Sequence, residues 1–246
     1  MAHMSGRVAI VTGASRGIGA AIARRLAADG AVVVGTYVRA EQPAAELARD
    51  IEARGGEIEM ARADMADPAA IRSLFAQTID SFGRLDILVN NAGLAEFRPL
   101  DRVDAGHYGA IFDVNVRGPL LAMQEAARVM ASPGRIVNIS SGAAQAAPPG
   151  ASVYAASKAA LDALTRSLAA ELGARDITVN AVSPGITQTD MLDANIPLSV
   201  QEQMVKTTAL GRVGTPEDIA DVVAFLLSED ARWITGQIIG ANGGLR

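Results

Sequence analysis

The sequence predicts an α/β fold in which helices cover both faces of a parallel sheet. Short runs rich in β-branched residues alternate with longer Ala- and Leu-rich segments, a pattern typical of right-handed crossovers between parallel strands. Aromatic residues make up only 4% of the chain, whereas there are 24 glycines, which favours helices packed closely on a sheet. No linker interrupts the pattern, so residues 7–246 are expected to form one domain, and residues 1–6 are interpreted as a disordered tag remnant.

Each strand is predicted where a short apolar run contains Val, Ile or Thr, and each helix where Ala and Leu dominate. Strands at 8–12, 31–38, 58–63 and 85–90 are followed by helices at 17–29, 41–54, 69–82 and 105–130. A strand at 135–140 precedes a helix at 152–172, and a strand at 178–183 precedes a polar, irregular stretch at 185–214. A helix at 217–227 and a strand at 237–240 complete the chain. Residues 186–214 are long enough to form a lid over a substrate.

The composition excludes several classes of function. The net charge is −5 and Lys and Arg form no blocks, so nucleic-acid or anionic-membrane binding is not expected. The absence of cysteine excludes disulfides and thiolate chemistry. His3 and His107 are the only histidines, too few for a His-rich metal site or a Ser-His-Asp hydrolase, so no metal is predicted. No apolar run approaches 18 residues, and the protein is expected to be soluble and cytoplasmic.

A Gly-rich turn, Thr-Gly-Ala-Ser-Arg-Gly-Ile-Gly at 12–19, follows the first predicted strand and opens the next helix. Glycine removes the Cβ atoms that would block a tight turn and the approach of a pyrophosphate. The helix N-terminus then offers free N–H groups to the anion. The spacing Gly-x3-Gly-x-Gly differs from the standard fingerprint, and an ordinary turn is the alternative. Its place after the first strand of a βαβ pattern favours dinucleotide binding.

The end of the second predicted strand indicates which dinucleotide binds. An acidic residue there would bind the ribose 2′-hydroxyl of NAD, whereas arginine would accommodate the 2′-phosphate of NADP. Thr36 stands at the expected position of the acid, Arg39 follows it, and Arg16 lies within the Gly-rich turn. Two guanidinium groups suit bidentate recognition of one phosphate, so the sequence predicts NADP(H). Two solvated surface arginines are the alternative.

Tyr154 and Lys158 stand one helical turn apart in the predicted helix 152–172, so their side chains share a face. A nearby ammonium group favours the phenolate and is expected to lower the pKa of the tyrosine below its ordinary value of about 10. The pair would then serve as an acid/base near neutral pH. A surface pair without a function is the alternative.

Further motifs occur in a fixed order around this pair. In chain order the motifs are residues 12–19, Asn90-Asn-Ala-Gly93, Asn115, Ser141 at 13 residues before Tyr154, Tyr154 with Lys158, and Pro184-Gly185 with Thr187 and Thr189. Over nearly the whole chain, from Arg7 to about Gly244, this series resembles the short-chain dehydrogenase/reductase family. Its motifs are nearest to those of the 3-oxoacyl-[acyl-carrier-protein] reductase-like branch.

The resemblance implies a Rossmann-type, doubly wound sheet of seven strands in the order 3-2-1-4-5-6-7, and a homotetramer. It implies that Tyr154 protonates a carbonyl oxygen as hydride arrives and that Ser141 hydrogen-bonds this oxygen. Lys158 would bind the nicotinamide ribose and lower the Tyr154 pKa, and Asn115 would hold a proton-relaying water. The residues then expected to contact NADP(H) are Gly13, Ser15, Arg16, Gly17, Ile18, Gly19, Thr36, Arg39, Asp64, Met65, Asn91, Ala92, Gly93, Tyr154, Lys158, Pro184, Gly185, Thr187 and Thr189.

Each of these residues also has a structural interpretation. Ser140 is the other candidate for the carbonyl contact, because it is adjacent to Ser141. The remaining alternatives are backbone satisfaction by Asn90 and Asn91, a helix kink at Asn115, a helix cap at Asp64, a plain turn at Pro184-Gly185, and a packing role for His107.

The segments expected to flank the carbonyl, 142–153 and 186–205, contain no lysine or arginine. A substrate phosphate or carboxylate would need a cation near the carbonyl, so a neutral, moderately apolar substrate is predicted. Movement of the Arg98 side chain towards the carbonyl is the alternative source of a cation. An acidic carrier protein would need a basic patch, for which only Arg128, Arg135 and Arg175 could lie near. The predicted activity is NADPH-dependent reduction of a neutral ketone or a 3-oxoacyl-type substrate. An NAD-linked alcohol or polyol dehydrogenase and a non-catalytic dinucleotide-sensing protein are the alternatives.

Overall fold

The computed structural model describes residues 4–245. Its strands are β1 (Val8–Val11), β2 (Val32–Tyr37), β3 (Glu57–Arg62), β4 (Ile87–Asn90), β5 (Gly134–Ile139), β6 (Ile177–Pro184) and β7 (Ile238–Ala241). All are parallel and form one sheet in the order β3-β2-β1-β4-β5-β6-β7. The predicted seven-stranded, doubly wound sheet and its strand order are confirmed.

Helices cover both faces of the sheet. They are α1 (Gly17–Ala28), α2 (Glu41–Ala53), α3 (Pro68–Phe82), α4 (Ala105–Phe112), α5 (Gly118–Val129), α6 (Ala143–Ala146), α7 (Ser152–Leu172), α8 (Asp190–Asn195), α9 (Leu198–Thr207) and α10 (Pro216–Leu227). Within residues 4–245, none is long and apolar enough to cross a membrane. Apart from two segments described below, the boundaries differ from the predictions by at most two residues.

The central strands contribute side chains to two separate apolar cores, because successive side chains of a strand point to opposite faces of the sheet. Ala9 and Val11 of β1 join the core beneath α1, α2 and α10, whereas Ile10 joins the core beneath α3, α5 and α7. Leu88 of β4 lies in the second core and its neighbour Val89 in the first. Strands buried on both faces have continuous apolar sequences, which is why they are easily identified in the sequence.

The segment before β1 is ordered from Met4 onward. The Met4 side chain is 1% exposed and belongs to the core beneath α1. Its amide donates a 2.9 Å hydrogen bond to the carbonyl of Asp29 at the end of α1. Met4 is therefore part of the fold, contrary to the predicted disorder of residues 1–6, and residues 1–3 lie outside the described residues.

The predicted helix 105–130 is divided by a π-helical turn. This turn, Asp113–Arg117, joins α4 to α5. Gly118 begins α5 against the Met65 carbonyl oxygen, which would lie 2.3 Å from a Cβ atom at this position, and Pro119 has no N–H to donate. Turns of this type occur frequently at functional sites, and Asn115 lies within this one.

The stretch 185–214, predicted to be irregular, contains the two short helices α8 and α9. The Thr189 side chain accepts a hydrogen bond from the Leu192 amide and caps α8. Pro197 precedes α9, where its fixed φ and missing N–H are tolerated. The prediction of irregular structure was wrong because this proline divides the polar stretch into helices too short to show a clear sequence period.

Candidate active site

The predicted site residues meet at one edge of the sheet, where the carboxyl ends of the parallel strands lie. The turn after β1, the segments after β2 and β3, and the loops after β4, β5 and β6 all reach this edge. Helix α7 and the π-helical turn add Tyr154, Lys158 and Asn115. In open α/β sheets, ligands bind in this crevice, so the arrangement can form one site from residues distant in sequence.

The Gly-rich turn is cross-linked to the neighbouring strand ends. The Thr12 hydroxyl oxygen accepts hydrogen bonds from the amides of Asn91 and Ala92, at 3.0 and 2.9 Å. In return, the Asn91 side-chain amide donates to the carbonyls of Thr12 and Gly13. The Asn91 side chain therefore satisfies backbone groups of the turn, as its structural interpretation proposed, and holds the turn rigid.

The glycines of this turn are required by its geometry. Gly13 and Gly17 adopt positive φ angles of 64° and 55°, which disfavour other residues. At Gly19, an added Cβ atom would lie 2.3 Å from the Gly13 carbonyl oxygen. Helix α1 begins at Gly17 without a side-chain cap, so its first N–H groups face the crevice edge as an anion site. Ser15 and Ile18 complete the turn and are half-buried.

Thr36 has a different environment from the one predicted. It is 1% exposed, and its hydroxyl oxygen accepts a 3.0 Å hydrogen bond from the Gly13 amide. The side chain thus supports the Gly-rich turn, and the prediction that it takes the place of a ribose-binding acid is corrected. Arg39 lies beyond β2 and is exposed. The Arg16 side chain is also exposed and lies 3.3 Å from Asp190 of α8.

The segment after β3 has one exposed and one buried member. Asp64 is exposed, and its side chain accepts a hydrogen bond from the Ala66 amide at 2.9 Å. Asp67, rather than Asp64, caps α3 by accepting from the Ala69 amide. Met65 is 4% exposed and belongs to the core beneath α3, so only its backbone can face the crevice.

The loop after β4 approaches Asn115 and Lys158 closely at Gly93. A Cβ atom there would lie 3.5 Å from both Asn115 Oδ1 and Lys158 Nζ. The α-carbon of Ala92 similarly lies 3.0 Å from a Cβ atom built at Gly13. Asn90 points into the sheet interior instead, where its side-chain amide donates to Asn138 Oδ1 at 2.8 Å. Asn90 is therefore structural, whereas Gly93 lies at the site.

Tyr154 and Lys158 are both buried at the base of the crevice. Tyr154 is 8% and Lys158 is 4% exposed, and Lys158 Nζ lies 5.9 Å from the centroid of the Tyr154 ring. The ammonium donates a 2.8 Å hydrogen bond to the Ile139 carbonyl at the end of β5. The two side chains share a face of α7, as their spacing predicted, and a surface pair is excluded by their burial.

The predicted lowering of the Tyr154 pKa is not observed. Burial raises the pKa of Tyr154, because it disfavours the charged phenolate, and interaction with the Ser141 side chain only partly opposes this effect. Burial also lowers the pKa of Lys158 to about 8, against the charge of Asp162, which raises it. Removal from water is thus the larger effect on the pKa of Lys158, and the raised pKa of Tyr154 keeps its side chain a neutral phenol.

Of the two adjacent serines, Ser141 faces Tyr154. The Ser141 side chain interacts with Tyr154 and lowers its pKa, against the effect of burial. Its hydroxyl oxygen also accepts a 3.2 Å hydrogen bond from the Ala143 amide. Ser140 is 3% exposed and lies on the other side, beside Asp162. Burial raises the pKa of Asp162, and the Ser140 side chain opposes this effect. Ser141 is the serine available to a ligand.

Asn115 links the loop after β4 to α7. It is fully buried, and its Oδ1 accepts from the Leu94 amide while its Nδ2 donates to the Leu94 carbonyl and to Ser157 Oγ. Ser157 in turn donates to the Tyr154 carbonyl at 2.7 Å. Asn115 therefore has a clear structural role. It also lies near Lys158, because a Cβ atom at Gly93 would be 3.5 Å from both Asn115 Oδ1 and Lys158 Nζ.

The loop after β6 returns towards the Gly-rich turn. The Pro184 carbonyl accepts from the Gly142 amide, and the Gly185 amide donates to the Ala241 carbonyl. Thr187 is buried and donates to the Gly185 carbonyl at 3.2 Å. The methyl carbon of Thr189 lies 3.2 Å from a Cβ atom built at Gly17, so the base of the predicted lid contacts the Gly-rich turn.

Sequence reasoning missed several residues of the site. Asp162 stands four residues after Lys158, and this continued helical spacing was a usable signal. Ser157 and Phe97 gave no signal of their own, and Thr12 was noted only as the first residue of the Gly-rich motif. The roles of all three depend on contacts between distant segments. Residues 4–245 bring together no group of three or more His, Asp and Glu residues that could hold a metal ion.

Comparisons with known proteins are consistent with this geometry. A family model described as enoyl-(acyl carrier protein) reductase matches residues 13–246. The chain is 47% identical to an uncharacterised oxidoreductase of Methylorubrum extorquens, with 100% of both chains covered. It is 41% identical to the hydroxynaphthalene reductase-like protein Arp2 of Metarhizium guizhouense, covering 98% of this chain and 95% of the relative. A short-chain dehydrogenase from Burkholderia cenocepacia solved in complex with NADP is 43% identical, with a TM-score of 0.94 and 99% of both chains covered.

Proposed function

Because the chain belongs to the short-chain dehydrogenase/reductase family of oxidoreductases, we propose that it reduces a neutral ketone with NADPH. One observation carries this proposal: Tyr154, Ser141 and Lys158 meet at the carboxyl edge of the sheet, beside a Gly-rich turn with the geometry of a phosphate site. A neutral phenol at this position is a proton donor, and a donor is what carbonyl reduction requires.

The residues of the crevice fit a dinucleotide. The Gly-rich turn leaves no room for a Cβ atom at Gly19, and the uncapped start of α1 offers N–H groups to a pyrophosphate. Gly13, Ser15, Gly17, Ile18 and Gly19 would surround the phosphates. Beyond them, Asp64 and the Met65 backbone would meet the adenine, and Ala92, Gly93, Pro184, Gly185, Thr187 and Thr189 the nicotinamide half. Asn91 would support the turn.

We assign the 2′-phosphate of NADP to the exposed arginines. Arg39 follows β2 and Arg16 immediately precedes α1. The Thr36 hydroxyl joins these two segments by accepting a hydrogen bond from the Gly13 amide. No acidic residue occupies 34–39, where NAD would need a partner for its free ribose hydroxyl. The Burkholderia cenocepacia relative was solved with NADP, which supports NADP(H) as the cofactor of this chain.

NADPH, when bound, supplies the hydride for the carbonyl carbon. Tyr154 then donates its phenolic proton to the carbonyl oxygen, and Ser141 hydrogen-bonds the same oxygen while negative charge develops on it. Lys158 lies on the same face of α7 as Tyr154 and stabilises the phenolate that remains. Asn115 Oδ1 and Lys158 Nζ would each lie 3.5 Å from a Cβ atom at Gly93, and Asn115 would hold a water through which Lys158 and Tyr154 regain a proton.

A neutral substrate agrees with the charges near the site. Arg98 is engaged by Glu96 and Asp104, at 2.6 and 3.1 Å, so it is already compensated. The 41% identical relative is named a hydroxynaphthalene reductase-like protein, and a hydroxynaphthalene is an uncharged aromatic compound.

An acyl-carrier-protein substrate has less support. Arg135 and Arg175 lie at the amino ends of β5 and β6, the sheet edge opposite Tyr154, and Arg128 pairs with Glu125. The three arginines that the sequence suggested as a docking patch are therefore remote from the crevice or compensated.

The substrate lid 186–214 and a homotetramer remain part of the proposal. Exposed Leu120, Val129 and Phe225 on α5 and α10 would support self-association.

The decisive experiment follows NADPH and NADH oxidation with acetophenone and with acetoacetyl-CoA. The wild type should oxidise NADPH with a ketone, and Tyr154→Phe should lose roughly 100- to 10,000-fold in rate, the usual contribution of a positioned general acid. Tyr108→Phe, which alters an exposed tyrosine stacked on Phe112, is the matched control and should retain activity. Full turnover by Tyr154→Phe would refute the proposed acid, and equal use of NADH would favour the NAD-linked alternative.

A further inference from the structure

Phe97 lies directly beside the ring of Tyr154. The ring centroids are 5.7 Å apart and the planes are inclined by 48°, a geometry within the range favoured by aromatic pairs. Phe97 is half-buried, so part of its ring stays exposed next to the phenol. No step of the proposed reaction uses this residue.

The loop 93–99 that carries Phe97 is fixed on its first side by two buried side chains. Asn115 holds both the amide and the carbonyl of Leu94, at 2.8 and 2.9 Å. His107, which is 5% exposed, places its Nε2 2.9 Å from the carbonyl oxygen of Glu96. Hydrogen bonds therefore fix the backbone at Leu94 and at Glu96, both of which precede Phe97 in the loop.

The loop is fixed on its second side as well. The amide of Arg98 donates a 2.8 Å hydrogen bond to the Gly150 carbonyl, in the segment that leads into α7. The Arg98 guanidinium pairs with Glu96 and with Asp104 at the start of α4. The backbone on both sides of Phe97 is thus tied to the rest of the site, and its ring has a defined position relative to Tyr154.

The surroundings of Phe97 are apolar and electrically compensated. Its charged neighbours, Glu96 and Arg98, pair with each other, and segment 142–153, which contacts the loop through Gly150, contains no charged residue. A ring bonded to a carbonyl carbon is coplanar with the carbonyl through conjugation. When the carbonyl oxygen meets Tyr154, such a ring comes within the distance at which two aromatic rings attract each other.

We propose that Phe97 determines specificity by packing against a planar aromatic ring bonded to the substrate carbonyl, so that aryl ketones are preferred over saturated ketones of the same carbon skeleton. This inference rests on the proposed ketone reduction. It adds a substrate class and the residue that selects it.

The test compares kcat/KM for acetophenone with that for cyclohexyl methyl ketone, which has the same carbon skeleton but a saturated, non-planar ring. In Phe97→Leu the ratio of the two values should fall by about threefold to tenfold relative to the wild type, the contribution of one aromatic pair. Intrinsic reactivity cancels, because the same two ketones are compared in both proteins. Phe97→Tyr should keep the wild-type ratio, and Phe112→Leu, which removes an aromatic ring at the end of α4, is the control.

An unchanged ratio in Phe97→Leu would overturn the proposal. If both rates fell equally, Phe97 would only pack beneath Tyr154, and the proposal would also be overturned.

A binding measurement distinguishes failure of the aryl contact from failure of the proposed reaction. Titration calorimetry would measure 1-phenylethanol binding to the protein with NADP⁺. Should the wild type reduce neither ketone, the proposed reaction would fail, while weaker binding to Phe97→Leu would still support the aryl contact. Absent or Phe97-independent binding would overturn it.

Discussion

At the scale of single residues, the charge states of Tyr154 and Lys158 are governed by burial. The raised pKa of Tyr154 keeps the phenol protonated, which is the form needed by an acid that acts during reduction. Lys158 directs its ammonium to the Ile139 carbonyl, and its pKa of about 8 makes its positive charge marginal above neutral pH. Spacing alone showed that the two side chains meet, but it could not show how far water is excluded from them.

Asp162 should extend the pH range over which Lys158 stays charged. Its negative charge raises the Lys158 pKa, so Asp162→Asn should lower that pKa further. The pH above which kcat/KM for ketone reduction declines should then fall by roughly one unit. Glu171→Gln removes the same charge from an exposed position of α7 and should leave the profile unchanged. Identical profiles for Asp162→Asn and the wild type would contradict this role.

Arg39 should discriminate between the two nicotinamide cofactors. Loss of one charge-assisted hydrogen bond to the 2′-phosphate in Arg39→Ala should raise the KM for NADPH by roughly 10- to 100-fold, with little change for NADH. Arg49→Ala, which alters an exposed arginine of α2, is the control. Parallel changes in the KM for both cofactors would show that Arg39 does not contact the phosphate.

At the scale of secondary-structure elements, prediction succeeded where burial on both faces leaves a simple pattern. The central strands read as apolar runs because Ala9, Ile10 and Val11 all enter a core. It failed where one contact between distant segments decides the geometry. The π-helical turn depends on the approach of Gly118 to the Met65 carbonyl, and the burial of Thr36 depends on the Gly13 amide. Neither contact leaves a periodic signal in the sequence.

The Gly-rich turn should tolerate no side chain at Gly19. In Gly19→Ala the new Cβ atom would meet the Gly13 carbonyl oxygen at 2.3 Å, so the turn must shift, and both stability and NADPH binding should decrease. Gly109→Ala on α4 meets nothing within 4 Å and should stabilise the protein by about 0.5–1 kcal/mol. Urea unfolding and NADPH fluorescence titration measure both effects, and normal NADPH affinity in Gly19→Ala would count against a tight phosphate cradle.

At the scale of the whole molecule, the fold gathers the site from six strand ends and two helices, so the stability of the domain and the chemistry of the site are linked. Lys158 illustrates the link, because its ammonium is buried in the folded state and hydrated in the unfolded state. Its folded pKa of about 8 lies below the unfolded value of about 10.5. The unfolded chain therefore binds more protons between these values, and folding becomes more favourable as pH rises through this window.

The free energy of unfolding of the wild type relative to Lys158→Met should accordingly increase between pH 7 and pH 10, by up to about 3 kcal/mol. Comparing the two proteins removes the contributions of all other titrating groups. It also removes the pH-independent cost of leaving the Ile139 carbonyl without its partner. Urea unfolding at several pH values supplies the measurement, and a constant difference would mean that Lys158 is not buried as a charge.

The central claim is that hydride passes from NADPH to a substrate carbonyl beside Tyr154. The most direct test is to incubate the wild type and Tyr154→Phe with acetophenone and with NADPH that carries deuterium at both C4 positions of the nicotinamide, and to analyse the alcohol by mass spectrometry and NMR. The wild type should place one deuterium on the carbinol carbon for each NADPH oxidised, and Tyr154→Phe should form almost no alcohol. Alcohol formed without deuterium, or at the wild-type rate by Tyr154→Phe, would contradict the claim.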